Sequence, residues 1–306
     1  MTEPSARSSG AGTVTCGQPA LAEDRASATV ARMVLGATLQ RLREKAGLST
    51  ADASVAIALP APRIADVECG QIGLRLRHVA GLCAAYGVSD VTLRATLLGL
   101  ARQANSPQWW HSYADLVPEW FECYLGLEQA ASLIRGYTAQ VIPVLLQTSD
   151  YAREIITLAH RNLAERDVQR RVELRLRRQQ VLRGPCPPRL WVMIDEAALR
   201  RHAGSRTSMR GQLRHLIAAA ELPNVTIRVL PFRLGGHLAT GGPLAVLRLP
   251  DPQLPDIAYL EQLASGVYFR RPAQVDFYRH ILNLLAVQAE AAGPPQVMLD
   301  QILKEI

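Results

Sequence analysis

The sequence predicts a mainly α protein in two parts: a compact five-helix bundle over residues 33–105, and an α+β domain over residues 125–306. Three observations carry this expectation. Between residues 33 and 105, apolar residues recur at three- and four-residue spacing in short runs punctuated by glycine or by capping residues. From residue 189 onward, short β-branched runs alternate with helical ones, the order of an α+β fold. Between the two parts, residues 106–124 are rich in aromatics and read as a linker that docks one part on the other.

Residues 1–32 are rich in Ser, Ala, Gly and Thr and predict a disordered tail. They lack the basic start and apolar core of a signal peptide. The first helix reads as LGATLQRLREKAG (35–47), with Leu35, Leu39 and Leu42 on one face and Gly47 as its stop. STADASVAIAL (49–59) follows, with Ser49 as N-cap and Asp52 completing a capping box. LPAPRIADVECGQIG (59–73) holds a third helix and ends in a turn at Gly70 and Gly73. LRHVAGLCAAYGV (76–88) stops at Gly87, and a fifth helix, 89–105, takes Ser89 as its cap. Leu39, Leu42, Ala53, Ile57, Ile64, Val67, Val79, Leu82 and Leu97 fall at core spacing.

In the remainder, helices are expected at 150–163, 165–183, 209–222, 272–291 and 295–306. Strands are expected at 189–194, 225–232, 243–250, 257–263 and 266–271, the last two joined by a turn at Ala264-Ser265.

Composition narrows the function classes. Thirty-four basic residues against 27 acidic give a net charge of +7, which suits an anionic partner without requiring one. Only Lys45 and Lys304 are lysines, a bias of base composition and not an arginine-rich binding tract. Residues 33–105 hold eight basic and five acidic groups, so the bundle is no polycation. Five scattered cysteines without CxxC spacing argue against a disulfide framework and fit a reducing compartment. No apolar run reaches the roughly 18 residues of a membrane span, so a cytoplasmic, soluble protein is expected. The histidines show no HxxxH spacing and no cofactor motif is present, so neither metal nor cofactor is expected.

LGATLQRLREKAGLS, the run IADVECG and the ending AAYGV give the bundle its resemblance to the Cro/repressor (Xre-type) helix-turn-helix fold. The longer chain resembles regulators of sporulating filamentous bacteria that join such a head to a long C-terminal domain. QWWHSYADLVPEWFECYLGLEQAAS, PPRLWVMIDEAALRR, NVTIRVLPF, GGHLATGGPLAVLRLP and IAYLEQLASGVYFRRP carry that likeness. It implies a homodimer on DNA whose C-terminal domain receives a small ligand or a small partner protein, in an antitoxin-like arrangement.

In this fold the second helix of the motif enters the major groove and reads base edges from its N-terminal residues. Thr50, Ala61, Arg63, Ala65, Asp66, Gln71, Arg75 and Arg77 match the positions that would meet DNA. The family's hydroxyls and basic residues are replaced here by Pro60, Ala61, Pro62, Ala65 and Asp66. Alanines can touch a thymine methyl but donate nothing, and Asp66 opposes phosphate. Arg63, Arg75 and Arg77 remain, enough for about three phosphate contacts. Glu68 reads as structural, either capping a helix or pairing with Arg43.

Further motifs are weaker. The seven arginines of ERDVQRRVELRLRRQQVLR read as the solvated face of a helix with Val168, Val172, Leu176 and Val181 inward. GGHLATGGP (235–243) lacks the GK[ST] ending of a phosphate cradle and reads as a loop. Asp195 precedes EAALRR as a helix cap, which is the plainer account of the Asp195/Glu196 pair. Trp109, Trp110, Tyr113, Trp120 and Phe121, with His237 and Tyr259, form a candidate ligand-binding set, although core packing accounts for most of them.

Two functions follow. One is an Xre-like transcriptional regulator with weakened DNA-reading residues. The other is a family member that has left DNA and binds or transforms a small apolar metabolite, as a cofactor-independent cyclase or isomerase of secondary metabolism.

Overall fold

A computed structural model of the chain describes residues 27–239, 241–252 and 254–306. Five helices form the head: α1 Ala28–Lys45, α2 Thr50–Ile57, α3 Ala61–Glu68, α4 Leu76–Ala85 and α5 Val91–Ala104. Leu35, Leu39, Ala53, Ile57, Ile64, Val67, Val79, Leu82 and Leu97 bury together, with Leu42 at the edge of the cluster. α2 opens with the expected box: Asp52 N–H donates to Ser49 Oγ at 3.2 Å and Ser49 N–H to Asp52 Oδ2 at 2.8 Å.

Two boundaries differ from expectation. The cap of α5 is Asp90 and not Ser89; Asp90 Oδ1 accepts from Thr92 and Leu93 N–H at 2.8 and 3.3 Å. A carboxylate at that position also meets the positive end of the helix dipole. Helix α1 starts at Ala28, so residues 28–32 are not part of a tail; the rest of the expected tail, residues 1–26, lies outside the described residues. Ala28, Val30 and Ala31 are small or short because they are buried, and Val30 and Met33 join the core of the C-terminal domain. A low-complexity composition here reflects close packing.

The α2–α3 turn runs through Ala58, which sits in the left-handed region at φ 51° and ψ 45°. An L residue there crowds its Cβ against the backbone at about 1–2 kcal/mol. Ala58→Gly removes that crowding at an entropic loss of about 0.5–1 kcal/mol in the unfolded chain. A net gain of about 0.5–1 kcal/mol in head stability is expected, read as slower hydrogen exchange of the α2 and α3 amides. Unchanged or faster exchange would mean that the turn carries no strain.

The body begins with a short 3-10 helix, Trp109–Tyr113, and α6, Glu119–Ala130, so half of the expected linker is helical. Then come β1 Leu133–Thr138, α7 Ser149–Ala159, α8 Glu165–Gln179, β2 Arg189–Asp195, α9 Glu196–Arg200, α10 Arg206–Ala219 and β3 Val225–Leu230. β4 Leu244–Arg248, β5 Ile257–Glu261, β6 Gly266–Phe269, α11 Pro272–Ala291 and α12 Pro295–Glu305 complete it. The sheet order is β3-β2-β1-β4-β5-β6; β1, β2 and β3 run parallel, and β4, β5 and β6 antiparallel in turn. One face packs on α6, α10 and α12 through Ile134, Val192, Ile227, Leu247 and Ile257. The other face packs on α11 through Tyr137, Met193, Leu244, Val246 and Ala258. The body is thus a helix–sheet–helix sandwich. Its central strand β1 (LIRGYT) escapes the sequence pattern because Arg135 and Gly136 interrupt the apolar run.

Candidate nucleic-acid interface and ligand sites

α3 is clamped from behind. A Cβ on Gly36 of α1 would lie 2.2 Å from the Val67 carbonyl, so the missing side chain lets the two helices touch. Arg43 and Glu68 pair as expected: Nε and Nη2 donate to Oε1 and Oε2 at 2.7 and 2.8 Å, out of water. That hydrogen bond raises the Arg43 pKa, against the smaller effect of burial.

The outward side of α3 carries the substituted positions. Pro62, Arg63 and Ala65 are exposed, and Ala61 and Asp66 are half-buried. No side chain caps the α3 N-terminus, where Pro60 stands. Thr50 is half-buried at the start of α2; Gln71 after α3 and Arg75 and Arg77 at the start of α4 are exposed. Next to them, burial first and then the charges of Arg77 and Arg75 hold the His78 pKa below its usual value. This surface therefore offers three guanidiniums and two small apolar side chains, with Asp66 among them.

The body holds the opposite end of α3. Arg270, just after edge strand β6, donates through Nη1 to the carbonyl of Cys69, the C-cap of α3. Arg32 Nε donates to the Ala104 carbonyl at 2.9 Å. Gly126 of α6 lies so close to α1 that a Cβ would fall 2.1 Å from Thr29 Oγ1. Among the described residues head and body meet through α1, α6 and Arg270, and the N-terminal half of α3 stays uncovered.

The expected ligand set does not form one site. Trp110 is buried with Val117, Leu125 and Leu174, and Tyr113 packs at the edge of that cluster. Trp120, Phe121, Tyr124, Tyr259 and Tyr268 form a ladder of rings, with centroids 5.5, 5.4, 4.4 and 5.0 Å apart in that order. Tyr259 is wholly in the core, and its hydroxyl has no hydrogen-bond partner among the described residues. Trp109 faces a cavity. This space of about 310 Å³ is lined also by Glu128, Gln129, Arg177, Arg178 and Val181. Trp109 Nε1 donates to Gln129 Oε1 at 3.0 Å, and Arg177 stacks on its ring at 5.1 Å.

The α8 arginines depart from a solvated face. Val168 and Val172 turn inward as expected, but Leu174 is buried where Leu176 was expected, and Leu176 is exposed. Arg178 leaves water to pair with Glu128, and Arg175 Nη1 reaches Gln147 Oε1 at 3.1 Å. Long apolar stems let arginine enter such a seam when a carboxylate or amide waits at its end.

His237 belongs to a different place, at the carboxyl ends of the parallel strands. Its Nε2 lies 3.3 Å from Asp195 Oδ2 at the end of β2 and 3.2 Å from the hydroxyl of Tyr137 on β1. Ala239 N–H donates to His237 Nδ1 at 3.2 Å, which assigns the ring proton to Nε2 and orients it at Asp195. Asp195 Oδ1 caps α9 through Ala197 N–H at 2.9 Å, as expected. Burial, then the Asp195 charge, pushes the Tyr137 hydroxyl well above its usual pKa. Glu196 takes no part: it accepts from Phe232 N–H at 2.8 Å and pairs with Arg200. The array offers a hydroxyl and a carboxylate-held imidazole where open α/β sheets bind ligands. Tyr137 was invisible in sequence because its partners lie 58 and 100 residues away.

Among the described residues no three His, Cys, Asp or Glu side chains gather as a metal site, and no helix is long and apolar enough to cross a membrane. A helix-turn-helix domain model matches residues 34–97, and the model of a domain of unknown function, DUF5753, matches residues 121–301. Neither a curated protein nor a solved structure matches the chain. With the larger part of its length matched, the chain belongs to the DUF5753 family and carries a helix-turn-helix domain ahead of the family's own domain.

Proposed function

We propose that the chain is an Xre-like transcriptional regulator that holds DNA mainly by its backbone and reads few bases. The observation that carries this reading is the free N-terminal half of α3, with Arg63 upon it and Arg75 and Arg77 beside it, while Arg270 fixes its far end to the body. Two alanines and Asp66 supply shape and repulsion where donors would specify a sequence. In this reading the body receives a small ligand or a small partner protein, and a homodimer brings two heads to one duplex.

Duplex binding by the full chain across a salt series tests it. Three phosphates per head at roughly 0.9 each give a slope of log K against log salt of about −2.7, and about twice that for a dimer. Replacing both Arg75 and Arg77 with Ala is expected to flatten the slope by about 2 per head. Absence of any complex at low salt sinks the regulator reading.

The Tyr137–Asp195–His237 array supports a second reading, in which the body binds or transforms a small metabolite as a cofactor-independent cyclase or isomerase. A gene deletion that changes transcript levels while leaving every metabolite step intact removes it.

A further inference from the structure

Arg178 leaves water with the Glu128 carboxylate, and Arg175 with the Gln147 amide, so each of them has an acceptor. Arg135 does not. It is half-buried on β1, the central strand, and its Nε and Nη2 are shut off from solvent without a hydrogen-bond acceptor among the described residues. What it touches is the Trp191 ring, 4.3 Å below its Cζ. Burial first, then Arg279 and Arg248, press its pKa down, and Asp256 opposes them; Arg248 is itself paired with Asp256 and Arg279 with Asp276. A desolvated cation facing other cations is unfavourable, and a ring stack offsets only part of that.

The strand register shows what surrounds it. Trp191 is the partner of Arg135 on one side and of Thr226 on the other, so the three side chains form one row on the α11 face. Thr226 lines a cavity of about 460 Å³ together with Arg228 and Glu290. In the row below, Leu133 stands between Arg189 and Arg248. In this row a flat indole stands between Thr226, at the edge of that cavity, and a guanidinium with two unpartnered donors.

We propose that this corner of the sheet binds a small oxyanion, the phosphate or carboxylate of a small acidic molecule, with Arg135 as its principal donor, Arg279 and Arg248 at the rim and Trp191 as a flat wall. A guanidinium fork matches either group in two parallel hydrogen bonds. The site deepens the sensing half of the proposed function and rests on it. Its readouts are stability and fluorescence, so its failure is distinct from a failure to bind DNA.

Thermal unfolding and tryptophan emission of the full chain are followed in sodium phosphate, sodium benzoate or sodium chloride at one ionic strength. Phosphate, benzoate or both are expected to raise the melting temperature saturably over chloride, and the stronger of the two names the chemical source. Arg135→Met is expected to abolish the rise while melting in chloride at or above the parent, because it removes a half-buried cation with two occluded, unpartnered donors. Arg279→Gln, at a half-exposed position, should weaken the anion about tenfold through loss of a single charged contact. Equal rises in the parent and in Arg135→Met, no rise in either anion, or displacement of phosphate by duplex DNA overturns the proposal.

Discussion

Glu68→Ala is expected to strip about 3–5 kcal/mol from the helix-turn-helix head. Both partners of the Arg43–Glu68 pair are nearly out of water, with side-chain exposures of 11% and 6%. Arg43 also donates through Nη1 to the Leu48 carbonyl at 2.8 Å, so one guanidinium ties α1 to α3 and to the turn before α2. Alanine at 68 leaves that guanidinium desolvated with its two best acceptors gone. The loss is therefore far larger than the ~1 kcal/mol ceiling of an exposed ion pair. Replacing both partners, Arg43→Met with Glu68→Leu, should recover most of it, since the buried charge and its counter-charge leave together. All four tryptophans lie between residues 109 and 191, outside the head. Hydrogen exchange of the α3 amides is thus the measurement that sees this unit. A loss below about 1 kcal/mol would mean that water reaches the pair.

That pair was legible in the sequence because its cause is local to the motif: a glutamate in the run IADVECG and an arginine on the first helix are the only charges at those core-facing positions. The capping box at Ser49 and the turn glycines were legible for a simpler reason, since each acts on residues three or four away, whereas Arg43 and Glu68 stand 25 apart. The features that escaped share a different physics. Ala28–Arg32 looked like a tail because small side chains suit close helix packing as well as disorder. β1 was missed because a central strand can carry a half-buried arginine when an indole lies in register beside it. Arg178 looked solvated because its carboxylate partner is 50 residues distant. The Tyr137–Asp195–His237 array has the same origin: the cap role of Asp195 follows from the next residues, whereas the partners of its second oxygen follow from sheet order alone. Periodicity reports which face of an element turns inward; it does not report which polar group meets another there.

Arg178→Met is the second large loss expected, again about 3–5 kcal/mol, and it falls on the body. Arg178 Nε and Nη2 both reach Glu128 at 2.8 Å, with side-chain exposures of 10% and 4%. Burial alone would lower the Arg178 pKa, and the charge and hydrogen bonds of Glu128 outweigh it and raise it. The guanidinium also stacks over Phe121 and Tyr124 at 5.0 and 5.7 Å, so it joins α8 to the ring ladder of α6. Methionine keeps much of the stem packing and leaves Glu128 a carboxylate with no counter-charge. The size of the effect therefore reports the charge and not a cavity. Adding Glu128→Leu to Arg178→Met should restore most of the stability, and Glu128→Leu alone should be as damaging as Arg178→Met. Trp109 and Trp120 flank the pair, so denaturant unfolding followed by tryptophan emission reads it directly. If Arg178→Met were instead neutral, Glu128 would have to be hydrated from the cavity it lines, and the seam between α6 and α8 would be open to water and to small polar ligands.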